Sequence, residues 1–182
     1  MTIELVQEHV AYAATENPWV KLYFDEVRFP DGSVGRYNRV VEGSGKEGVA
    51  ILPHCAGTVA LLSIDRYPVS RRCLEIPRGF GEGDSPVEDA HRELLEETGW
   101  RPTVLHDLGL VYPNSGLLSG SVRLFFAEVA SFEPSVRDAE ADSIAVYPVS
   151  ALLDMARTGD SIRDVFTLSA LLRADLRGLL VH

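Results

Sequence analysis

The sequence predicts an α+β fold in which helices cover a mixed β-sheet, an α/β/α sandwich, with an antiparallel β-hairpin before it. Three observations lead to this fold class. Runs rich in β-branched and aliphatic residues, bounded by glycine and proline, recur along the chain and are typical of strands. A few helical segments lie between them, and one carries start and stop signals at both ends. Strands separated by only a few helices favour a mixed sheet covered by helices.

The hairpin and the strands come from alternation and composition. Residues 19–43 alternate apolar and polar side chains on either side of Pro30, Asp31 and Gly32, which predicts two antiparallel strands joined by a tight turn. Three strands follow, and three more come after a central helix. We expect these six strands at residues 48–54, 57–67, 72–77, 103–112, 121–130 and 143–149.

The central helix has a defined start and a defined end. Ser85 suits the N-cap, Pro86 the first helical position, Glu88 completes a capping box, and Gly99 suits the left-handed position after the last turn. A spacing of 100° per residue divides the helix into an apolar side and an acidic side. The apolar side holds Val87, Ala90, Leu94 and Thr98, and the acidic side holds Asp89, Glu93, Glu96 and Glu97.

Two further helices are predicted near the C-terminus. A short one lies near Ala151 to Arg157, and the last one begins at Ser161 with Asp164 at the capping-box position. Apolar and small residues in the last segment recur at helical spacing. This stripe consists of Ile162, Val165, Phe166, Ser169, Leu172 and Leu176.

Length and composition limit the class of protein. The chain has 182 residues, of which 46% are hydrophobic and 24% charged, as in an ordinary globular domain with one main core. A net charge of −10 disfavours nucleic acid as a partner and attracts divalent cations. No apolar run approaches the roughly 20 residues that span a bilayer, and the start lacks the features of a secretion signal. We therefore expect a cytoplasmic protein with neither nucleic acid nor a membrane as partner.

The acidic side of the central helix raises the question of function. Like charges three and four residues apart oppose helix formation, so Glu93, Glu96 and Glu97 require something that offsets their repulsion. Mg²⁺ prefers oxygen ligands and is usually held by a few carboxylates together with substrate phosphates. The preceding segment adds a glycine-rich backbone and the carboxylates of Glu75, Glu82 and Asp84, which could fold back toward the helix. The alternative is an ordinary solvated acidic face.

The segment from Gly79 to Trp100 resembles the Nudix box, whose pattern is G, five residues, E, seven residues and R-E-U-x-E-E-x-G-U, with U a bulky apolar residue. The second half matches throughout, at Arg92, Glu93, Leu94, Glu96, Glu97, Gly99 and Trp100. The first half departs from the pattern, because only four residues separate Gly79 from an acidic residue, which is Asp84. The resemblance implies a Nudix fold, metal ligation by Glu93, Glu96 and Glu97, and a further ligand from the backbone carbonyl of Arg78 or Gly79. It also implies that Asp84 pairs with Arg92.

The flanking sequence, over about residues 18–175, resembles the ADP-ribose pyrophosphatase branch of that superfamily. This branch implies a small N-terminal antiparallel β-sheet subdomain at residues 1–46, which takes part in homodimer formation and substrate contact, and a Nudix hydrolase domain at residues 47–182. The chain departs from the branch where substrate is normally held. These positions are Ile64 and Asp65 before Arg66, Arg78 in place of alanine, and Asn114 to Gly116.

The resemblance further implies Mg²⁺-dependent hydrolysis, with Mn²⁺ as an alternative metal, of the pyrophosphate bond of ADP-ribose or a related nucleoside diphosphate sugar. The departures leave open another nucleoside diphosphate derivative, such as a different sugar nucleotide or a dinucleoside polyphosphate. A non-catalytic module that senses a nucleotide is a third interpretation, although such modules commonly lack box carboxylates.

Four residues complete the predicted site. The general base is expected just before the strand at 143–149, where Glu140 and Asp142 are candidates and Glu140 is preferred. Arg66 would hold phosphate through its fork of donors, or else pair with an acidic neighbour. Arg78 would add positive charge beside the diphosphate, or else point to solvent. Trp19 would stack on the nucleobase, or else belong to the core.

Overall fold

The computed structural model describes residues 2–43, 45–133 and 141–180. Within those residues the chain forms two β-sheets and three α-helices. The fold class predicted from the sequence is confirmed, with a small antiparallel sheet followed by a mixed sheet between helices.

The small sheet is built around one long strand. Its four strands are β1 (Glu4–Gln7), β2 (Val10–Ala14), β3 (Asn17–Arg28) and β4 (Val34–Glu42). The strand β3 pairs antiparallel with β4 along most of its length, and with β2 and β1 near its start and its end. The predicted hairpin is β3–β4, whose turn is closed by Asp31 Oδ1 accepting hydrogen bonds from the N–H and hydroxyl of Ser33. The strands β1 and β2 were not predicted.

The large sheet is mixed. Its strands are β5 (Gly48–Cys55), β6 (Thr58–Arg66), β7 (Arg71–Glu75), β8 (Arg78–Gly79), β9 (Pro102–Val111), β10 (Val122–Val129) and β11 (Ala141–Pro148). The strand order is β11-β6-β5-β10-β9, with β7 beside β6 and β8 beside β5. Only the β5–β10 pair is parallel among the described pairs. All six predicted strands are confirmed, and β8 is an additional short one.

Helices cover both faces of the large sheet, and alternate residues of β5 point to opposite faces. Val49 and Ile51 pack in one core with α1 (Pro86–Thr98). Ala50 and Leu52 pack in the other core with α2 (Val149–Thr158) and α3 (Val165–Leu176). The first core holds α1, which carries the acidic residues, against one face of β5.

The structure corrects details of the predicted helices. The bounds of α1 are confirmed, but the Ser85 side chain makes no capping hydrogen bond and Val87 is exposed. The last helix begins at Val165 and not at Ser161, because Asp164 accepts a hydrogen bond from the N–H of Thr167 and is itself the N-cap. The predicted stripe is wrong as well, since Val165, Leu172 and Leu176 are exposed. The buried residues of α3 are Phe166, Thr167, Ala170, Leu171 and Ala174.

Among the described residues, no helix combines the length and the apolar composition needed to cross a membrane.

Candidate active site

The centre of the candidate site is the contact between α1 and the loop that follows β7. Strand β8 pairs with β5, which places the backbone of Gly79 directly against the carboxyl group of Glu93. A Cβ atom added to Gly79 would lie 2.1 Å from Cδ of Glu93. Glycine at this position allows the close approach of the Glu93 carboxylate, which any side chain here would displace. Glu93 is only 8% exposed, although it lies on the side of α1 predicted to be acidic.

Arg92 is the hub of the carboxylates on α1. Its guanidinium donates to Asp89 Oδ1 (3.2 Å), Glu96 Oε2 (3.0 Å) and the carbonyl of Phe80 (3.1 Å), and it lies 2.8 Å from Glu93 Oε1. The repulsion between the glutamates is therefore offset in part by a cation that they share. Asp84 is fully exposed and lies 3.8 Å from Lys46 Nζ, so the expected pairing of Asp84 with Arg92 is corrected to Asp89 with Arg92.

The shared cation affects the protonation of its partners unequally. Burial raises the pKa of Glu93 above its usual value, and the attraction of Arg92 does not overcome this, because Glu96 and Glu82 add like charge. Burial also acts to raise the pKa of Asp89, but hydrogen bonds from the N–H of Gly83 and from Arg92 outweigh it and lower that pKa. Asp89 is thus the partner of Arg92 whose ionised form is favoured.

The other two box glutamates differ in exposure. Glu97 Oε2 accepts a hydrogen bond of 3.1 Å from the backbone N–H of Arg78, which ties the C-terminal half of α1 to β8. The Glu96 side chain is 58% exposed and reaches back to Arg92. The structure therefore brings Glu93 and Glu97 to the backbone of β8, while Glu96 stays at the rim.

The donor set suits a divalent cation in its chemistry. Glu93, Glu96 and Glu97 supply carboxylate oxygens on one helix, and the Gly79 backbone leaves room beside Glu93 because a side chain is absent there. In the described part of the chain, no group of three or more His, Cys, Asp or Glu side chains is already arranged around a point that could hold a metal ion. Glu93 and Glu96 instead face Arg92. Arg92 thus occupies oxygen atoms of Glu93 and Glu96 that a metal ion would also use.

The glycine-rich loop is contacted by Lys46 and Glu47, which lie in the linker between the two sheets. Lys46 Nζ donates to the carbonyls of Glu82 (2.8 Å) and Gly83 (3.2 Å). Gly81 lies so close to the linker that a Cβ there would be 2.1 Å from the carbonyl oxygen of Glu47. Contacts of this kind position a loop that is one residue shorter than the box pattern.

A cavity of about 400 Å³ borders Gly79. Its lining includes Lys46, Arg66, Arg78, Phe80 and Phe166. Arg66 and Arg78 were predicted as substrate contacts, and the structure brings both to this cavity. Glu93 does not line the cavity, but it contacts Gly79, which does.

The two cavity arginines share one buried carboxylate. Glu75 accepts from Arg66 Nη2 at 2.7 Å and from Arg78 Nη2 at 2.9 Å. Burial acts to raise the pKa of Glu75, but the hydrogen bonds and charges of the two arginines outweigh it and lower the pKa. The acidic-neighbour alternative for Arg66 is thus observed, and the solvent alternative for Arg78 is wrong, because its guanidinium also lies 4.8 Å from the centre of the Phe166 ring. Glu75 does not fold back toward the helix carboxylates as expected.

Trp19 is exposed and not part of the core. The residue is 59% exposed, and its ring stacks on Phe80 with ring centres 6.2 Å apart and an angle of 14° between the planes. Phe80 lines the cavity, so Trp19 reaches the cavity only through Phe80.

The predicted general base is not covered by the structure. Glu140 lies outside the described residues, and the side chain of Asp142 is likewise not described. Both remain predictions.

Sequence reasoning missed Asp89, Lys46 and Phe80 as parts of the site. Asp89 could have been found from its i, i+3 spacing to Arg92. Lys46 acts on the loop from 36 residues away, and no local pattern marks such a contact.

The chain matches the NUDIX domain model over residues 47–167, more than half of its length. It is 28% identical to an ADP-ribose pyrophosphatase of Bacillus subtilis (strain 168) over 148 residues, which cover 81% of this chain and 78% of that protein. It is 27% identical to a GDP-mannose pyrophosphatase of Cronobacter sakazakii over 195 residues, which cover 99% and 98% of the two chains. An ADP-sugar pyrophosphatase of Mus musculus is 34% identical over 113 residues, about half of each chain.

A solved structure has the same fold. The crystal structure of an ADP compounds hydrolase superposes with a TM-score of 0.82 and covers 100% of this chain and 98% of that one. The two sequences are 19% identical, so this similarity establishes the architecture of both sheets and the helices and nothing finer.

Proposed function

The chain belongs to the NUDIX domain family, and we propose that it hydrolyses the pyrophosphate bond of ADP-ribose or a related nucleoside diphosphate sugar. The products are a nucleoside monophosphate and a sugar phosphate. The observation that carries this proposal is the buried carboxylate of Glu93, held against Gly79 at the border of a cavity that contains two arginines. The names of the relatives, pyrophosphatases of ADP-ribose, ADP-sugars and GDP-mannose, support the same substrate class.

Three glutamates form the proposed metal site. Glu93, Glu96 and Glu97 hold Mg²⁺, or Mn²⁺ in its place, with the backbone carbonyl of Arg78 as a further ligand. The metal supplies positive charge that neutralises the diphosphate oxygens. Arg92 is a positioning residue, because it holds Glu93 and Glu96 on one side of the helix, where both would face a bound cation. The hydrogen bond from Arg78 N–H keeps Glu97 beside β8.

The arginines of the cavity bind the diphosphate in this proposal. A guanidinium is a planar fork of N–H donors that matches phosphate oxygens, and both Arg66 and Arg78 line the cavity. Glu75 holds both guanidiniums, and Asp164 Oδ1 lies 3.9 Å from Arg78 Nη1, so the two arginines are fixed in place at the cavity where the phosphate oxygens would bind. Glu140 removes the proton from the attacking water as general base, from the segment before β11.

The nucleobase binds on Trp19 in this proposal. One face of the ring stacks on Phe80, and its exposure leaves the other face available for a base.

A homodimer through the small sheet is the assembly that we propose. This sheet exposes a group of large apolar side chains, and such groups mark protein interfaces. They include Leu5, Val10, Tyr12, Trp19, Phe24 and Val34.

The decisive experiment incubates the purified protein with ADP-ribose and MgCl₂ and measures AMP by chromatography. We expect AMP to form, and to disappear when a chelator removes the metal. The Glu97→Gln variant should lose turnover by at least about a hundredfold, because a charge that holds the cation is removed. Glu88→Gln is the matched control on the exposed first turn of α1 and should keep full turnover.

Each outcome has a clear meaning. Absence of AMP together with hydrolysis of another nucleotide sugar refutes the substrate, and equal turnover in the Glu97→Gln variant refutes the role of Glu97. The alternative substrate is another sugar nucleotide, such as GDP-mannose, or a dinucleoside polyphosphate. Arg78 and the residues Asn114 to Gly116 favour it, because they differ from the ADP-ribose branch at substrate positions. A panel of these compounds separates the two.

A further inference from the structure

A second cavity, of about 590 Å³, shares Arg66 and Arg78 with the first. We call it the arginine pocket. It is formed by the turn after β6, by β7 and by the segment that leads into α3, and five arginines line it. These are Arg66, Arg71, Arg72, Arg78 and Arg163. Its volume lies within the roughly 300–1,000 Å³ of small-molecule pockets.

The charge of the arginine pocket is opposite to that of the protein. Its lining has five arginines against the carboxylates of Glu75 and Asp164, within a chain whose net charge is −10. Both carboxylates already have partners, because Glu75 holds Arg66 and Arg78, and Asp164 caps α3 through Thr167. The pocket therefore keeps an excess of positive charge that its own acids do not neutralise.

Two of the five guanidiniums have no partner within the described residues. The side chains of Arg71 and Arg163 make neither a hydrogen bond nor an ion pair there. Arg72, in contrast, lies 3.3 Å from Asp65 at the surface. The donors left unpaired thus belong to one residue on β7 and one residue just before α3, which line the same cavity.

We propose that the arginine pocket binds a phosphate group, held by Arg71 and Arg163. Planar guanidinium forks match phosphate oxygens in bidentate geometry, and an apolar or cationic ligand would leave these charges unpaired. The phosphate has two sources. It is carried by the sugar of the substrate itself, so that the enzyme accepts nucleoside diphosphate sugars with an additional phosphate, or it is a free phosphate that binds beside the active site. The first source rests on the proposed function, and the second does not.

The test uses the full-length chain and two double variants. Arg71→Gln with Arg163→Gln removes the unpaired donors of the pocket. Arg101→Gln with Arg157→Gln removes the same charge from exposed positions that line neither cavity. Thermal denaturation first confirms that both variants are folded.

Calorimetry with inorganic phosphate, without metal or nucleotide, gives a measurement that needs no turnover. We expect the wild type and the control to bind phosphate at least ten times more tightly than the pocket variant. Equal affinity in all three overturns the proposal, whether or not ADP-ribose is hydrolysed.

Kinetics then separate the two sources. We compare kcat/KM for ADP-ribose and for ADP-ribose that carries a phosphate on its distal ribose. If the substrate supplies the phosphate, the wild type and the control prefer the phosphorylated compound at least tenfold, and the pocket variant loses this preference. If all three proteins show the same ratio while phosphate binding is weaker in the pocket variant, the ligand is free phosphate.

Discussion

Replacing Gly79 by alanine tests whether the exact position of Glu93 matters for catalysis. The new Cβ would lie 2.1 Å from Cδ and Oε1 of Glu93. Because non-bonded carbon atoms keep a separation of about 3.5–4.0 Å, the carboxylate must move by more than about 1 Å. The obstacle is the end of a flexible side chain, so the backbone can stay where it is.

The magnitudes for activity and stability follow from what Glu93 touches. A shift of about 1 Å in a group that positions reactants can cost about a hundredfold in rate. The displaced carboxylate also loses its 2.8 Å contact with Arg92, while Arg92 keeps Asp89 and Glu96. A hydrogen bond to a charged group contributes about 1.5–3 kcal/mol to stability. Two effects offset part of this loss: the displaced Glu93 carboxylate is hydrated again, and alanine lowers the entropy of the unfolded chain. We expect a loss of about 1 kcal/mol in the free energy of unfolding.

The assay measures kcat/KM for ADP-ribose and the urea-induced unfolding of the same preparations. Gly83→Ala is the matched control, because it lies in the same loop and its Cβ would meet Asp89 Oδ1 at an ordinary 3.4 Å. We expect the Gly79→Ala variant to lose about a hundredfold in kcat/KM with nearly native stability. If it keeps a kcat/KM within about threefold of the wild type while the control behaves normally, the reasoning on Glu93 is wrong.

Variants at three further positions test the packing around the site. Gly81→Ala should unfold at lower urea concentration than Gly79→Ala, because its Cβ would lie 2.1 Å from the backbone carbonyl oxygen of Glu47, which cannot rotate away. Equal midpoints of urea unfolding for the two variants would contradict this. Leu94→Ala should lower the free energy of unfolding by about 2–5 kcal/mol, since Leu94 is fully buried between α1 and β5, and a loss below about 1 kcal/mol would show that the core repacks. Asp164→Ala should lower the free energy of unfolding by about 1 kcal/mol, because the N-cap of α3 is lost. Asp164→Asn should keep most of this stability, since Asn also caps helices well, and equal losses in the two variants would argue against the cap.

Local signals predicted the bounds of α1 correctly, but they did not predict which of its side chains are buried. Pro86 and Gly99 act within one turn of the helix, so the sequence alone places the ends. Val87 is exposed and Glu93 is buried because the short strand β8 lies against α1, a contact that depends on the pairing of β8 with β5.

The start of α3 shows the same limit. Ser161 and Asp164 are both acceptable N-caps in the sequence. A tertiary contact favours the second, because the Thr167 hydroxyl that bonds to Asp164 also accepts the N–H of Ile76, 91 residues away. The strands β1 and β2 were missed because all but one of their residues are exposed, which leaves little apolar alternation to detect.

The linker between the sheets has a consequence for any attempt to separate the two parts of this protein. A fragment that starts at residue 47 would keep every glutamate of α1 and still lose the Lys46 ammonium group, and with it the two carbonyl contacts on the loop. It would also lose Gly43, where the neighbouring Phe80 ring leaves no room for a Cβ atom. Grafting a foreign N-terminal sheet onto the remainder will preserve the loop only if the junction is moved upstream of residue 43.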